Sequence, residues 1–197
     1  GAHSGNNRSF QDFLIYPLGE LDLNNFFNNV HGIFYQAKKI IETNNNFYGY
    51  CDEGGLYPNN LDHYQICDII NESITKNNLT PGKEIGISID VAATNFCKSG
   101  KYFLYDKVLD TGDLNIIYDN LISNYNVSLI EDPYNEKDFK SHANLKSVTK
   151  SAKIIGDDLT CTNLNLLNEA VNLNAIDGII IKINQCGTIS ETLEVLK

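Results

Sequence analysis

Four short apolar runs in this chain each end on, or carry, a charged residue. IGISID (85–90) closes on Asp90, and VSLIED (127–132) closes on Glu131 and Asp132. IIGDD (154–158) closes on Asp157 and Asp158, and GIIIKIN (178–184) carries Lys182. Asp90 and Glu131 are 41 residues apart; the next two steps, to Asp157 and to Lys182, are 26 and 25 residues. Segments with helical spacing lie between the runs, such as Leu114, Ile117, Tyr118, Leu121 and Ile122. Continuous apolar strands that alternate with helices pack as a parallel sheet covered by those helices. The first step is longer because it holds a small hairpin arm at 100–105. In a parallel barrel the strand carboxyl ends gather at one mouth, whereas in an open doubly wound sheet they line a crevice. The absence of GxGxxG disfavours a dinucleotide-binding fold.

The first half of the chain is less regular. A strand is expected at 13–18, a helix at 23–41, a loop rich in turn formers at 44–60 and a second helix at 61–74. Helices are also expected at 138–152 and 164–171, with a final one from Ser190. A length of 197 residues and 42% hydrophobic content suit one large domain or part of a barrel. The formal net charge of −10, with no Lys/Arg-rich run, argues against nucleic acid or an anionic membrane as the main partner. No apolar run reaches the ~18 residues of a spanning helix, and no signal peptide is read. The five cysteines (Cys51, Cys67, Cys97, Cys161 and Cys186) are scattered, odd in number and without CxxC spacing. They read as reduced thiols of a cytosolic protein. The chain opens on Gly1 and holds no Met, the pattern of a processed or excised segment.

Asp90, Glu131 and Asp157 are three carboxylates brought to one place by successive strands. Like charges that converge repel one another, and a hard divalent cation with oxygen ligands, Mg²⁺ above all, removes that penalty. Any one of them could instead cap a helix or be solvated; three in succession favour a metal site. Asp132 and Asp158 point to the other side of their strands and suit capping. Lys182, inside an apolar run, must face a polar mouth or lose solvation. There it serves either as a general base whose pKa is lowered by burial and nearby cations, or as the salt-bridge partner of Asp157. Glu53 precedes Gly54-Gly55 in a loop, and His3 stands in the small-residue stretch GAHSGN; alone, each is a weak signal.

Together these segments resemble the enolase family along the whole chain. The motifs are GAHSGN (1–6), DEGG (52–55), SIDVAA (88–93), the GKY arm (100–102), IEDP (130–133), GDDLTCTN (156–163) and IKINQCGT (181–188). The resemblance implies an α/β fold, a partial TIM-type (β/α) barrel with parallel strands and outer helices. It implies Mg²⁺-dependent, reversible dehydration of 2-phosphoglycerate to phosphoenolpyruvate by a cytoplasmic lyase of glycolysis that forms homodimers. By motif, Lys182 is the base at C2 and Glu53 the acid at the C3 hydroxyl. Asp90, Glu131 and Asp157 are the metal ligands. His3 and Asp12 contact substrate, as do Glu131 and Asp157.

Two departures follow from the same resemblance. The family has Gln-Glu-Phe where this chain has Gln11-Asp12-Phe13, so the acid there is one methylene shorter. The family's amino-terminal α+β domain, its first barrel strand and the end of its barrel have no counterpart in 1–197, so an isolated segment is expected to be unstable or inactive. The rival readings are a catalytically impaired enolase-like binding or structural protein, for which Asp12 is the best support, and a superfamily enzyme acting on another carboxylate.

Overall fold

The computed structural model describes residues 9–19 and 22–197. Strand β1 (Asp12–Pro17) leads to helix α1 (Leu23–Thr43), where Asp22 accepts the N–H groups of Asn24 and Asn25 at 3.0 and 3.4 Å. A hairpin of β2 (Phe47–Tyr50) and β3 (Leu56–Pro58) precedes α2 (His63–Lys76). A capping box starts α2: Asp62 accepts the Gln65 N–H, and the Gln65 side chain accepts the Asp62 N–H. Next come β4 (Ile85–Asp90), a 3₁₀ turn at Ala93–Phe96 and an arm of β5 (Cys97–Lys98), β6 (Lys101–Leu104) and β7 (Lys107–Leu109). Strands and helices then alternate through α3 (Thr111–Tyr125), β8 (Val127–Glu131), α4 (Phe139–Val148), β9 (Lys153–Gly156), α5 (Leu164–Asn172) and β10 (Gly178–Ile179). Two short helices follow, α6 (Ile183–Cys186) and α7 (Ile189–Val195).

The main sheet has the order β1-β4-β8-β9-β10. β4, β8, β9 and β10 are parallel, as their apolar continuity requires. The sheet does not close on itself among the described residues. β1 joins its edge antiparallel, with Asp12 opposite Asp90 and Pro17 opposite Ile85. The connection explains the direction. One helix between two strands returns the chain to the same end, whereas β1 and β4 are separated by two helices, α1 and α2, and so run oppositely.

The core lies between the sheet and its helices. Ile87, Ile89, Ile130 and Ile154 are at most 1% exposed and belong to one cluster with Leu114, Tyr118 and Leu121 of α3. Burying each such side chain is worth about 1.5–3 kcal/mol. The Tyr118 hydroxyl keeps its polarity satisfied by donating to the Pro133 carbonyl at 2.5 Å.

Several expectations shift, the first being the loop expected at 44–60, which holds the β2–β3 hairpin. The helix expected to reach 152 ends at Val148, because the chain must turn into β9 at Lys153. The arm at 100–105 is the middle of a three-stranded antiparallel sheet. The strand expected over 178–184 pairs only at Gly178 and Ile179, with one more bond from Ile180 N–H to the Gly156 carbonyl at 2.9 Å. β10 is the sheet edge among the described residues, so no second ladder keeps the chain extended, and it coils into α6 before Gly187 at φ +87°. All five cysteines are free thiols. No helix among the described residues is long and apolar enough to cross a membrane.

Candidate functional site

One end of the main sheet collects the charges. Asp90 ends β4 and lies in register with Glu131, the last residue of β8. Asp157 follows β9 by one residue, and Lys182 lies three residues beyond β10. Asp12 reaches the same end because β1 starts there, opposite Asp90. Five strands therefore deliver Asp12, Asp90, Glu131, Asp157 and Lys182 to one rim.

Carboxylate oxygens of Glu131, Asp132 and Asp157 lie within 4.8 Å of one another. This tightest group contains two of the three expected metal ligands, with Asp132 where Asp90 was expected. Asp90 is turned aside by its own bonds: Oδ1 accepts the Ala92 N–H at 3.0 Å and Oδ2 accepts from Gln11 Nε2 at 3.1 Å. Asp132 is 3% exposed and accepts the backbone N–H groups of Asp157, Asp158 and Leu159 at 3.1, 2.6 and 3.4 Å. Its lone pairs are thus spent on holding the turn that carries Asp157; contrary to expectation it lies on the same side as Glu131 and caps no helix among the described residues, since Asp138 is the N-cap of α4. The left-handed φ of +43° at Asp132 aims it at that turn. That conformation is what the residue pattern alone did not reveal.

The electrostatics are those of crowded acids. Burial, then the charges of Asp90, Asp132 and Asp157, push the Glu131 carboxyl up to about 8. Burial, then Asp132 and Asp12, push Asp90 up to about 7, against the Ala92 N–H bond. Asp132 is pushed up to about 6 by burial, with its backbone N–H bonds opposing. The donors are all oxygens, Glu131, Asp90 and Asp132 are held above their ordinary range by burial and mutual repulsion, and Glu131 and Asp157 converge. Such a set fits a hard divalent cation.

Lys182 Nζ donates to Asp157 Oδ2 in an ion pair. Burial acts to lower the Lys182 pKa, but the bond to Asp157 and the charges of Asp157, Glu131 and Asp158 outweigh it, and the net displacement is upward. Of the two readings of Lys182, the salt bridge to Asp157 is present and the lowered pKa is not, because the acids around the amine favour its charged form more than desolvation disfavours it.

Glu53 comes from a different element, the hairpin that follows α1. It is exposed in the turn between β2 and β3, which is closed by Gly54 N–H to the Cys51 carbonyl and Cys51 N–H to the Gly55 carbonyl, both at 3.0 Å. Cys51 and Gly55 of that turn and Gln11 and Asp12 of the β1 end line one cavity of ≈ 740 Å³. His3 lies outside the described residues. Three site neighbours escaped the sequence reading: Gln11, which holds Asp90, and Thr162 and Gln185, which bridge Asp157 and Lys182. The only signal for the last two is their place inside GDDLTCTN and IKINQCGT.

A sheet whose parallel strands end on acids and then a lysine, with helices outside, defines a piece of a (β/α) barrel with its chemistry at the strand carboxyl ends. Residues 1–197 match the family described as enolase, C-terminal TIM barrel domain, and the chain belongs to that family. Enolase of Lactobacillus acidophilus is 34% identical over 201 residues, and enolase of Lactobacillus helveticus 35% over 201. Enolase of Ehrlichia ruminantium is 33% identical over 198 residues. Each alignment covers 100% of this chain and 47% of the relative, so the chain spans about half the length of these proteins.

Proposed function

We propose that the full-length protein carries out the Mg²⁺-dependent, reversible dehydration of 2-phosphoglycerate to phosphoenolpyruvate, as a cytoplasmic, homodimeric enzyme of glycolysis. The observation that carries this reading is the meeting of Glu131, Asp157 and Lys182 at one rim, in a chain whose relatives are named enolase. Glu131 and Asp157, with Asp90 beside Glu131, would hold the ion. When bound, Mg²⁺ supplies positive charge against the substrate carboxylate, where negative charge builds as the neighbouring carbon loses its proton.

Lys182 takes the C2 proton. Its ammonium is held charged by Asp157; an Asp157 that also faced a bound divalent cation would hold that proton less firmly and so bring the amine toward use as a base. Glu53, from the β2–β3 turn, gives a proton to the departing C3 hydroxyl. His3 and Asp12 contact substrate at that side, and Glu131 and Asp157 on the metal side. Residues 1–197 alone are inactive in this reading. The test is turnover of 2-phosphoglycerate with Mg²⁺ by the full-length protein. Formation of phosphoenolpyruvate is expected, and a folded, metal-loaded protein without turnover contradicts the reading.

A further inference from the structure

Thr162 sits at the centre of a closed ring of hydrogen bonds that no catalytic role accounts for. It is 1% exposed, and its hydroxyl accepts the Lys182 backbone N–H at 2.9 Å. The hydroxyl proton goes to Gln185 Oε1 at 3.2 Å, with the Ile180 carbonyl more distant at 3.5 Å. Gln185 Nε2 faces Asp157 Oδ1 at 3.5 Å, and Asp157 Oδ2 takes the Lys182 ammonium. Donors and acceptors match around the whole circuit: Lys182 N–H to Thr162, Thr162 to Gln185, Gln185 to Asp157, and the Lys182 side chain back to Asp157.

The backbone at this point is unusual. Cys161 and Thr162 both have left-handed conformations, with φ of +45° and +48°. That region is disfavoured for a β-branched residue and persists only where the surroundings enforce it. Here the Thr162 carbonyl also receives the Cys186 thiol at 2.8 Å. The turn after β9 is thereby tied to the segment after β10 through both the side chain and the main chain of one residue. β10 itself gives that segment only two residues of pairing.

We infer that Thr162 is a positioning residue: through its hydroxyl it fixes where the Lys182 backbone lies relative to Asp157, and so sets the reach of the amine into the site. The part of this inference that concerns catalysis rests on the function proposed above; the part that concerns the position of Lys182 does not. A misplacement of ~1 Å in a reacting group can cost on the order of 100-fold in rate.

The experiment compares Thr162→Val and Thr162→Ser in the full-length protein. Valine keeps the β-branching and its backbone strain but removes the hydroxyl; serine keeps the hydroxyl. Amide hydrogen exchange at Lys182, read by NMR, is expected to quicken about tenfold or more in Thr162→Val and to return to within about threefold of wild type in Thr162→Ser, because only the hydroxyl accepts that N–H. Turnover of 2-phosphoglycerate is expected to follow the same order, falling in kcat by roughly tenfold or more with KM within about threefold. Thr162→Ala serves both readouts if the valine variant does not fold. Unchanged Lys182 exchange in a folded variant lacking the hydroxyl overturns the positioning claim, as does a serine variant as impaired as valine. A wild-type protein without turnover sinks the proposed function instead and leaves the exchange readout to decide.

Discussion

The two sides of the main sheet are built to different standards. From β4 to β9 the face turned to the helices is tightly packed, and Ile87, Ile89, Ile130 and Ile154 are at most 1% exposed. From β1 through the β2–β3 hairpin, Leu14 is 46% exposed, Phe27 65% and Tyr48 71%. A ≈ 740 Å³ cavity opens there, lined by Val30, Ile33, Phe34, Leu56, Ile66 and Ile69 among others. The site divides along the same line. The acids that converge, Glu131 and Asp157, stand at the ends of the well-packed strands, Lys182 reaches them from the short segment after β10, and Asp12 and Glu53 border the open side. Groups that must be held against their own repulsion sit where packing is dense, since a close-packed interior resists the shifts that would relieve them.

The largest expected effect breaks this contrast if it fails. Ile154→Ala deletes a side chain with 0% exposure, and a loss of about 2–5 kcal/mol is expected in denaturant unfolding of the full-length protein. Phe34→Ala, at 38% exposure beside the cavity, is expected to cost less than half as much. Equal losses would mean that the two sides are packed alike.

The next effect is read at the seam between them. His63, at the start of α2, is 5% exposed and packed on Phe10, Tyr64 and Tyr105 at ring distances of 5.1, 4.1 and 5.4 Å. Neither ring nitrogen has a hydrogen-bond partner among the described residues. Burial pushes its pKa down to about 4, with Asp62 opposing and Lys107 adding to the fall. The unfolded chain therefore takes up a proton from an ordinary value of 6.5 downward while the folded chain does not. Stability from this residue is full above pH 6.5 and is lost as pH falls toward 4, by up to about 3 kcal/mol. His63→Phe is expected to flatten that part of the profile relative to wild type, and parallel profiles of unfolding midpoint against pH would refute the assignment.

A smaller effect concerns the metal. Glu131→Gln keeps the shape of the side chain but removes a charge from the converging acids, and Mg²⁺ affinity by calorimetry is expected to fall roughly tenfold. Unchanged affinity would refute a ligand role for Glu131.

Much of the parallel sheet was legible because an apolar run that ends on a charge has few other places to go. The 85–90 run became β4 residue for residue, and the acids at 90, 131 and 157 reached one end together with Lys182. The antiparallel direction of β1 was legible only indirectly, through the two helices expected at 23–41 and 61–74 that separate it from the 85–90 run. The state of Lys182 was not legible: its pKa depends on the contact with Asp157, and a sequence shows their spacing but not their separation. The turns at Asp132 and Thr162 escaped for a related reason, since left-handed backbone at non-glycine positions leaves no mark in composition.

The central claim is that these strand ends hold a divalent cation and present Lys182 to a carbon-bound proton. Exchange of the C2 proton of 2-phosphoglycerate with solvent deuterium, followed by NMR in the full-length Lys182→Ala protein loaded with Mg²⁺, tests it most directly. The account predicts that exchange falls by about 10²-fold or more while Mg²⁺ stays bound, the scale of a lost general base. Exchange at the wild-type rate in the folded variant would contradict it.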